Sequence, residues 1–229
     1  MVVRGVALQA DTLRRQIENA VRDGITSGRY APGSRLVERE LCEELGVSRT
    51  SLREALRKLE AEKLVEIVPH KGPVVASISL EEAGEIYALR ELLEGFAAQE
   101  FATRGSDEDL NAFGREAAVL RGHALAGETA EVLEAKSRLY SIMLGRCGNT
   151  LVREVLQSLF SRINILRATS LMHPERISQS LAEIDALTKA LQSRDAEAAR
   201  KYASQHVKNA SIVALKLLGE QQKAALVDS

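Results

Sequence analysis

Arg49 and Arg53 stand four residues apart in the stretch GVSRTSLREAL, residues 46–56. On a helix that spacing puts both guanidiniums on one side, with Leu52, Ala55 and Leu56 on another. Two aligned guanidiniums can pair bidentately with guanine O6 and N7, or with phosphate oxygens. They can equally be surface salt bridges, Arg49 with Glu43 or Glu44 and Arg53 with Glu54 or Glu60. Ser48 and Thr50 would add hydroxyls at the positive end of that helix, where a phosphate oxygen is favoured. Further on, PHKGP sets His70 and Lys71 beside a flexible Gly72. All of this is chemistry for contacting a polyanion.

The surrounding elements must decide between the two readings. Leu13, Ile17, Val21 and Ile25 recur every four residues and predict a helix over Leu8 to Ser27. Gly28, Pro32 and Gly33 then punctuate a turn. Val37, Leu41 and Leu45 predict a short helix stopped by Gly46, and Ser48 is placed to cap the next one. LVEIVPHKGPVVASIS follows, β-rich on both sides of a tip spanning Pro69 to Pro73. Two short helices across a glycine turn, followed at once by a hairpin, make a winged helix-turn-helix. Arg39, on the first helix of the pair, is placed to grip a phosphate backbone.

From Ser79 the pattern is helical throughout. Ser79 and Glu82 have capping-box spacing and open a long helix to about Arg104. Another starts at Ser106, with a break expected over Gly122 to Gly127. Further helices are expected over Thr129–Arg146, Thr150–Ser170, Pro174–Ser193 and Ala196–Gly219, with Asp195 as an N-cap and a frayed tail. The fold class is mainly α. A winged helix over residues 1–78 precedes an all-helical bundle over residues 79–229.

Composition narrows the function. The 229 residues have a net charge of −1, so any basic patch must be local. Residues 1–77 hold 13 Lys/Arg against 11 Asp/Glu, and residues 78–229 hold 18 against 21. Between Val47 and Lys58 the imbalance is concentrated, with Arg49, Arg53, Arg57 and Lys58 facing only Glu54. There is no G-x-S-x-G, P-loop, GxGxxG or paired His/Cys cluster, so no catalytic residues are assigned. Cys42 and Cys147 read as reduced thiols of a cytoplasmic protein. No apolar run has the length of a membrane span, and no membrane partner is expected.

The stretch YAPGSRLVERELCEELGVSRTSLREALRKLEAEKLVEIVPHKGPVVA resembles the winged-helix domain of GntR-family transcription regulators. From ISLEEAGEIYALRELLEGFAAQEFA to HVKNA the chain is similar to the FCD effector domain of the FadR-like subgroup, best in YALRELLEGFAA and CGNTLV. The resemblance implies a homodimer on double-stranded operator DNA, acting most often as a repressor under a small-molecule effector. It implies DNA contacts from the arginines Arg39, Arg49 and Arg53; Ser48 and Thr50 suit a phosphate oxygen, and His70, Lys71 and Gly72 of the wing suit the adjacent minor groove, where cations are attracted and glycine permits close approach. An alternative is a DNA-binding protein whose helical domain only dimerises and senses no ligand.

Many FCD domains hold a divalent metal through an Asp, a His four residues later, and two further His. Anchored on Cys147-Gly148-Asn149, the resemblance places the Asp on Lys136, the first His on Tyr140 and the second on Ile184. Only His206 is retained, so no metal or other cofactor is expected. The implied effector site is then Arg90, Lys136, Tyr140, Ile184 and His206, with Arg90 taken from the family's R-x-x-x-E pattern. Lys136 could replace the metal's charge and pair with an anionic effector, or it could form an internal ion pair with Glu183 or Glu94. Arg162 and Arg167 are further candidates for the cavity wall.

Overall fold

The four-residue apolar spacing forms helix α1 (Arg4–Thr26), which buries Ile17, Val21 and Ile25. The helix begins ahead of the expected Leu8. The computed structural model describes residues 4–26, 28–171 and 174–227, so the expected end at Ser27 lies outside the described residues, as do Asp228 and Ser229. The chain divides into two compact units, Met1–Ile78 and Ser79–Ser229.

In the first unit α1 packs on α3 (Arg49–Ala61), with α2 (Glu38–Leu45) alongside. Gly46 ends α2 at φ 65°, a conformation that favours glycine, and its N–H donates to the Cys42 carbonyl. Ser48 caps α3, its hydroxyl accepting from the Ser51 N–H. Leu52, Ala55, Leu56 and Leu59 are buried against α1. Each leucine of that set contributes roughly 1.5–3 kcal/mol of apolar burial. The polar residues of α3 are thereby fixed outward.

Strands β1 (Val65–Val68) and β2 (Gly72–Val75) pair antiparallel, Val65 opposite Val75 and Val68 opposite Gly72. The tip is narrower than Pro69 to Pro73, because Pro73 pairs with Ile67 inside the ladder. His70 adopts φ 62° and Gly72 φ 86° to close the turn. Backbone from residues 33–36 lines the other edge of β2, through the Arg35–Val74 bridge and Leu36 N–H to Pro73 O at 2.9 Å.

The second unit comprises α4 (Leu80–Arg104), α5 (Asp107–Ala126), α6 (Thr129–Arg146), α7 (Thr150–Ser158), α8 (Phe160–Leu171), α9 (Pro174–Gln192) and α10 (Ala196–Val227). Ser79 and Ser106 cap α4 and α5, and Ser106 makes a full capping box with Asp109. The most extensive pairing joins α4 to α10. Gly95 permits that approach, since a Cβ there would stand 2.3 Å from Ser204 Oγ.

Three expectations are corrected. Gly122 lies inside α5, which ends only at Gly127 (φ 76°). The helix expected over Thr150–Ser170 divides at Leu159. No Gly or Pro marks that break, and Val152, Leu156, Ile163 and Leu166 keep one apolar face across it. Lastly, α10 continues past Gly219 to Val227. Among the described residues no helix is long and apolar enough to cross a membrane.

Candidate functional site

Two constellations stand out, one in each unit. In the first, α3 presents Arg49, Thr50, Arg53, Arg57 and Lys58 to solvent. Arg53 lies bidentate on Glu38 of α2, Nε to Oε1 at 2.9 Å and Nη2 to Oε2 at 2.9 Å. Its partner is thus the preceding helix, not Glu54 or Glu60. Arg49 forms no ion pair among the described residues. Glu44, one of its expected partners, is taken by Arg29 at 2.7 Å, and Glu43 lies 4.0 Å from Arg39. An open groove of about 510 Å³ runs between α3 and the wing, lined by Arg53, Arg57, Ile67 and Gly72 among others. His70 and Lys71 are exposed at the wing tip.

This is a helix-turn-helix with its arginines outward and a basic-tipped wing beside it. Residues 13–75 match the bacterial regulatory proteins of the gntR family, and residues 85–209 match the FCD domain. The chain is a GntR-family transcription regulator with an FCD domain. As such it is a DNA-binding protein of the helix-turn-helix type, and its relatives are regulators rather than enzymes. It is 24% identical over 196 residues to the uncharacterized HTH-type transcriptional regulator YdhC of Bacillus subtilis, spanning 83% of this chain and 86% of that protein. To the HTH-type transcriptional repressor RspR of Escherichia coli it is 23% identical over 199 residues, 87% of each chain. Escherichia coli McbR/YncC shares the fold at a TM-score of 0.77 and 21% identity, covering 92% of this chain and 98% of that one.

The FCD unit of this GntR regulator encloses the second constellation. Lys136, Tyr140, Ile184 and His206 line one small cavity with Phe113, Leu139, Met143 and Leu187. Four of the five expected effector residues are therefore together. The cavity measures about 10 Å³, room for about one water. Arg90, the fifth, is buried one layer away, Nε to Glu94 Oε1 at 2.7 Å and its guanidinium 5.0 Å from the Tyr87 ring. Arg167 stacks over Tyr140 at 4.0 Å, whereas Arg162 pairs with Glu82 at 2.7 Å.

Lys136 does not make the internal ion pair with Glu183 or Glu94. It is 5% exposed and donates to Ser180 Oγ at 2.8 Å. Burial holds its pKa well below the usual lysine range, and Arg167, Arg176 and Arg90 push the same way. Glu183 is engaged elsewhere. It accepts from Arg176 Nη2 at 2.8 Å, from His206 Nδ1 at 2.6 Å and from Asn209 Nδ2 at 2.6 Å. Those bonds outweigh its burial and keep it ionised. Burial holds His206 down to about 4 against the pull of Glu183. The imidazole is therefore neutral at physiological pH, with Nδ1–H given to the carboxylate. Burial and the facing Glu94 carboxylate push the Tyr140 phenol up.

Arg176 is the residue that sequence reading missed. It is 2% exposed, bonds to Glu183 and to the carbonyl of the cavity residue His206, and its Nη1 has no acceptor among the described residues. The signal available was its i, i+7 spacing to Glu183, which is common on exposed helices too. Arg90 Nη1 is likewise buried without an acceptor.

The donor set does not fit a divalent cation. Lys136 brings no negative charge and is committed to Ser180, Ile184 has no ligand atom, and His206 has one ring nitrogen committed to Glu183. No group of three or more His, Cys, Asp or Glu able to hold a metal occurs among the described residues. The guanidiniums of Arg90, Arg167 and Arg176 are buried in the same unit, Arg90 paired with Glu94 and Arg176 with Glu183.

Proposed function

We propose that this GntR regulator acts as a metal-independent, anion-responsive repressor. Operator reading is assigned to Arg49 and Arg53, with Ser48, Thr50 and Arg39 on the phosphates and His70, Lys71 and Gly72 in the minor groove. The exposure of Arg49, without an ion-pair partner among the described residues, and the pre-aligned fork of Arg53 support that division of labour. A homodimer on a pseudo-palindromic operator follows from the symmetry such readers require. The repressive sense is supported by relatives such as RspR, whose name states it.

The anionic effector rests on one observation. Three guanidiniums, Arg90, Arg167 and Arg176, are buried in the neighbourhood of Lys136 with two carboxylates, Glu94 paired with Arg90 and Glu183 paired with Arg176. Buried positive charge in excess of the carboxylates around it is unfavourable, and a bound anion would relieve it. Coupling to the operator needs only a few kcal/mol of differential affinity. The test is a thermal-shift panel of small carboxylates and sugar acids, followed by operator retardation with each hit. A ligand that raises the midpoint and changes operator affinity supports the reading. Silence across the panel would favour a helical domain that only dimerises, a reading that the water-sized cavity supports.

A further inference from the structure

Helix α4 carries an apolar stripe that its own bundle covers only in part. Ala88, Leu89, Leu92, Leu93 and Phe96 recur at three- and four-residue spacing on one face. The opposite face holds the buried Ile86, Arg90, Ala97 and Phe101. Leu92 is 68% exposed and Leu89 37%, and Ala88 is open as well. Helix α10 takes a different side of α4, against Gly95 and the Glu91 carbonyl, which accepts from Ser204 Oγ at 3.0 Å. Helix α7, packed on α4, adds exposed Leu151 and Val155. Single exposed leucines are ordinary, whereas a contiguous apolar stripe marks a surface that another molecule covers.

We propose that a second copy of the chain covers this stripe, α4 lying antiparallel to α4 across a two-fold axis between Leu92 and Leu93. This rests on the reading that the regulator acts as a homodimer. A two-fold interface must be complementary to itself. An antiparallel helix pair meets that demand when its contact positions read the same in both directions. The stripe does so: Leu92 falls opposite Leu93 of the second copy, and Leu89 opposite Phe96. An unrelated partner would require no such mirror spacing. The ends match in charge as well, since Glu81 in the first turn of α4 falls opposite Arg104 in the last. Glu85 falls opposite Glu100, whose charge Arg104 offsets, Nε to Oε2 at 2.6 Å. Helix α4 opens directly after the first unit, which ends at Ile78. In the pair, about 25 residues at 1.5 Å each separate the two first turns, roughly 37 Å. The two chains thus leave the paired bundles about as far apart as half-sites one DNA turn apart, ~34–36 Å.

The experiment is sedimentation equilibrium on the full chain, on Leu92→Glu and on Leu125→Glu, with circular dichroism to check folding. Leu125, at the end of α5, is 78% exposed and serves as the control away from α4. The natural chain and Leu125→Glu are expected to have the mass of two chains. Leu92→Glu should keep its helix content while its dimer dissociation constant rises roughly 100-fold or more, since each two-fold contact then buries a carboxylate against a leucine. Unchanged dimerisation of Leu92→Glu overturns the proposal. Loss of the dimer in Leu125→Glu but not in Leu92→Glu overturns this surface and leaves the homodimer intact. A natural chain that is monomeric at every concentration overturns both. Should Leu92→Glu fail to fold, Leu92→Cys decides under mild oxidation, with the natural chain as control for Cys42 and Cys147. A disulfide-linked dimer specific to Leu92→Cys is expected, and its absence overturns the proposal.

Discussion

Arg53 is held by Glu38 through two parallel hydrogen bonds, so the second reading arginine is oriented before DNA arrives while the first, Arg49, has no ion-pair partner among the described residues. Hydrogen bonding to Arg53 holds the Glu38 carboxyl below its usual range, and the pair stays ionised at any physiological pH. The two arginines should therefore respond differently to substitution. Arg49→Ala is expected to lower operator affinity by roughly 10- to 100-fold, the range for losing a bidentate base contact, with folding unchanged. Glu38→Gln is expected to loosen Arg53, weakening discrimination between operator and random DNA while non-specific binding rises as a negative charge is lost. Retardation on both DNAs checks this. Unchanged specific binding by Arg49→Ala removes Arg49 as a reader.

Lys71 at the wing tip is expected to act on phosphates and groove potential rather than on base identity. Lys71→Ala should weaken binding to all sequences alike and reduce the slope of log affinity against log salt by about one. Titration at several salt concentrations measures this. A sequence-dependent loss with the slope unchanged would make Lys71 a base reader instead.

Local rules carried most of the first unit. The Gly46 turn, the Ser48 cap and the Leu52–Leu59 face are short-range signals, and each element formed where its signal lay. Pro73 departs from this because proline usually marks a loop, whereas here it stands opposite Ile67 in the ladder and its carbonyl accepts from Leu36 N–H. In the second unit the spacing located Lys136, Tyr140, Ile184 and His206 but not their partners. Lys136 meets Ser180 across 44 positions of sequence, and Arg176 reaches His206 only because α9 packs on α10. Helical periodicity says which face is inward, not which inward side chains meet. The division at Leu159 is invisible for the same reason, since the apolar face passes through it.

His206 gives the molecule a defined acid response. Its pKa is about 4 in the folded chain and about 6.5 in the unfolded one. Between those values the unfolded chain binds a proton that the native one does not, so stability falls as pH drops through that window. It is fully present above about pH 6.5. Glu183, whose pKa is also depressed, loses its contribution at still lower pH, in the same direction. Between pH 7.5 and pH 5 the His206 share is on the order of 2 kcal/mol. His206→Gln can still donate to Glu183 but cannot titrate, and its urea midpoint should change less over that interval. Equal changes in both proteins would show that His206 is not the group responsible.

Lys136 should cost the unliganded protein stability. The native chain disfavours its proton, whereas the unfolded chain keeps it up to about pH 10.4. The unfolded state therefore binds more protons, and stability rises with pH toward that value. Met is close in length, propagates a helix well and suits walls made of Leu139, Met143 and Ile184. Lys136→Met loses the bond to Ser180, about 1 kcal/mol, and relieves a larger burial penalty. The net expectation is a gain of about 1–2 kcal/mol at pH 7, with a midpoint about 2–8 °C higher by calorimetry. The rise in stability from pH 7 to pH 10 should flatten in the variant. A lower midpoint at pH 7 with an unchanged slope would mean that Lys136 is charged and well paired in the native state.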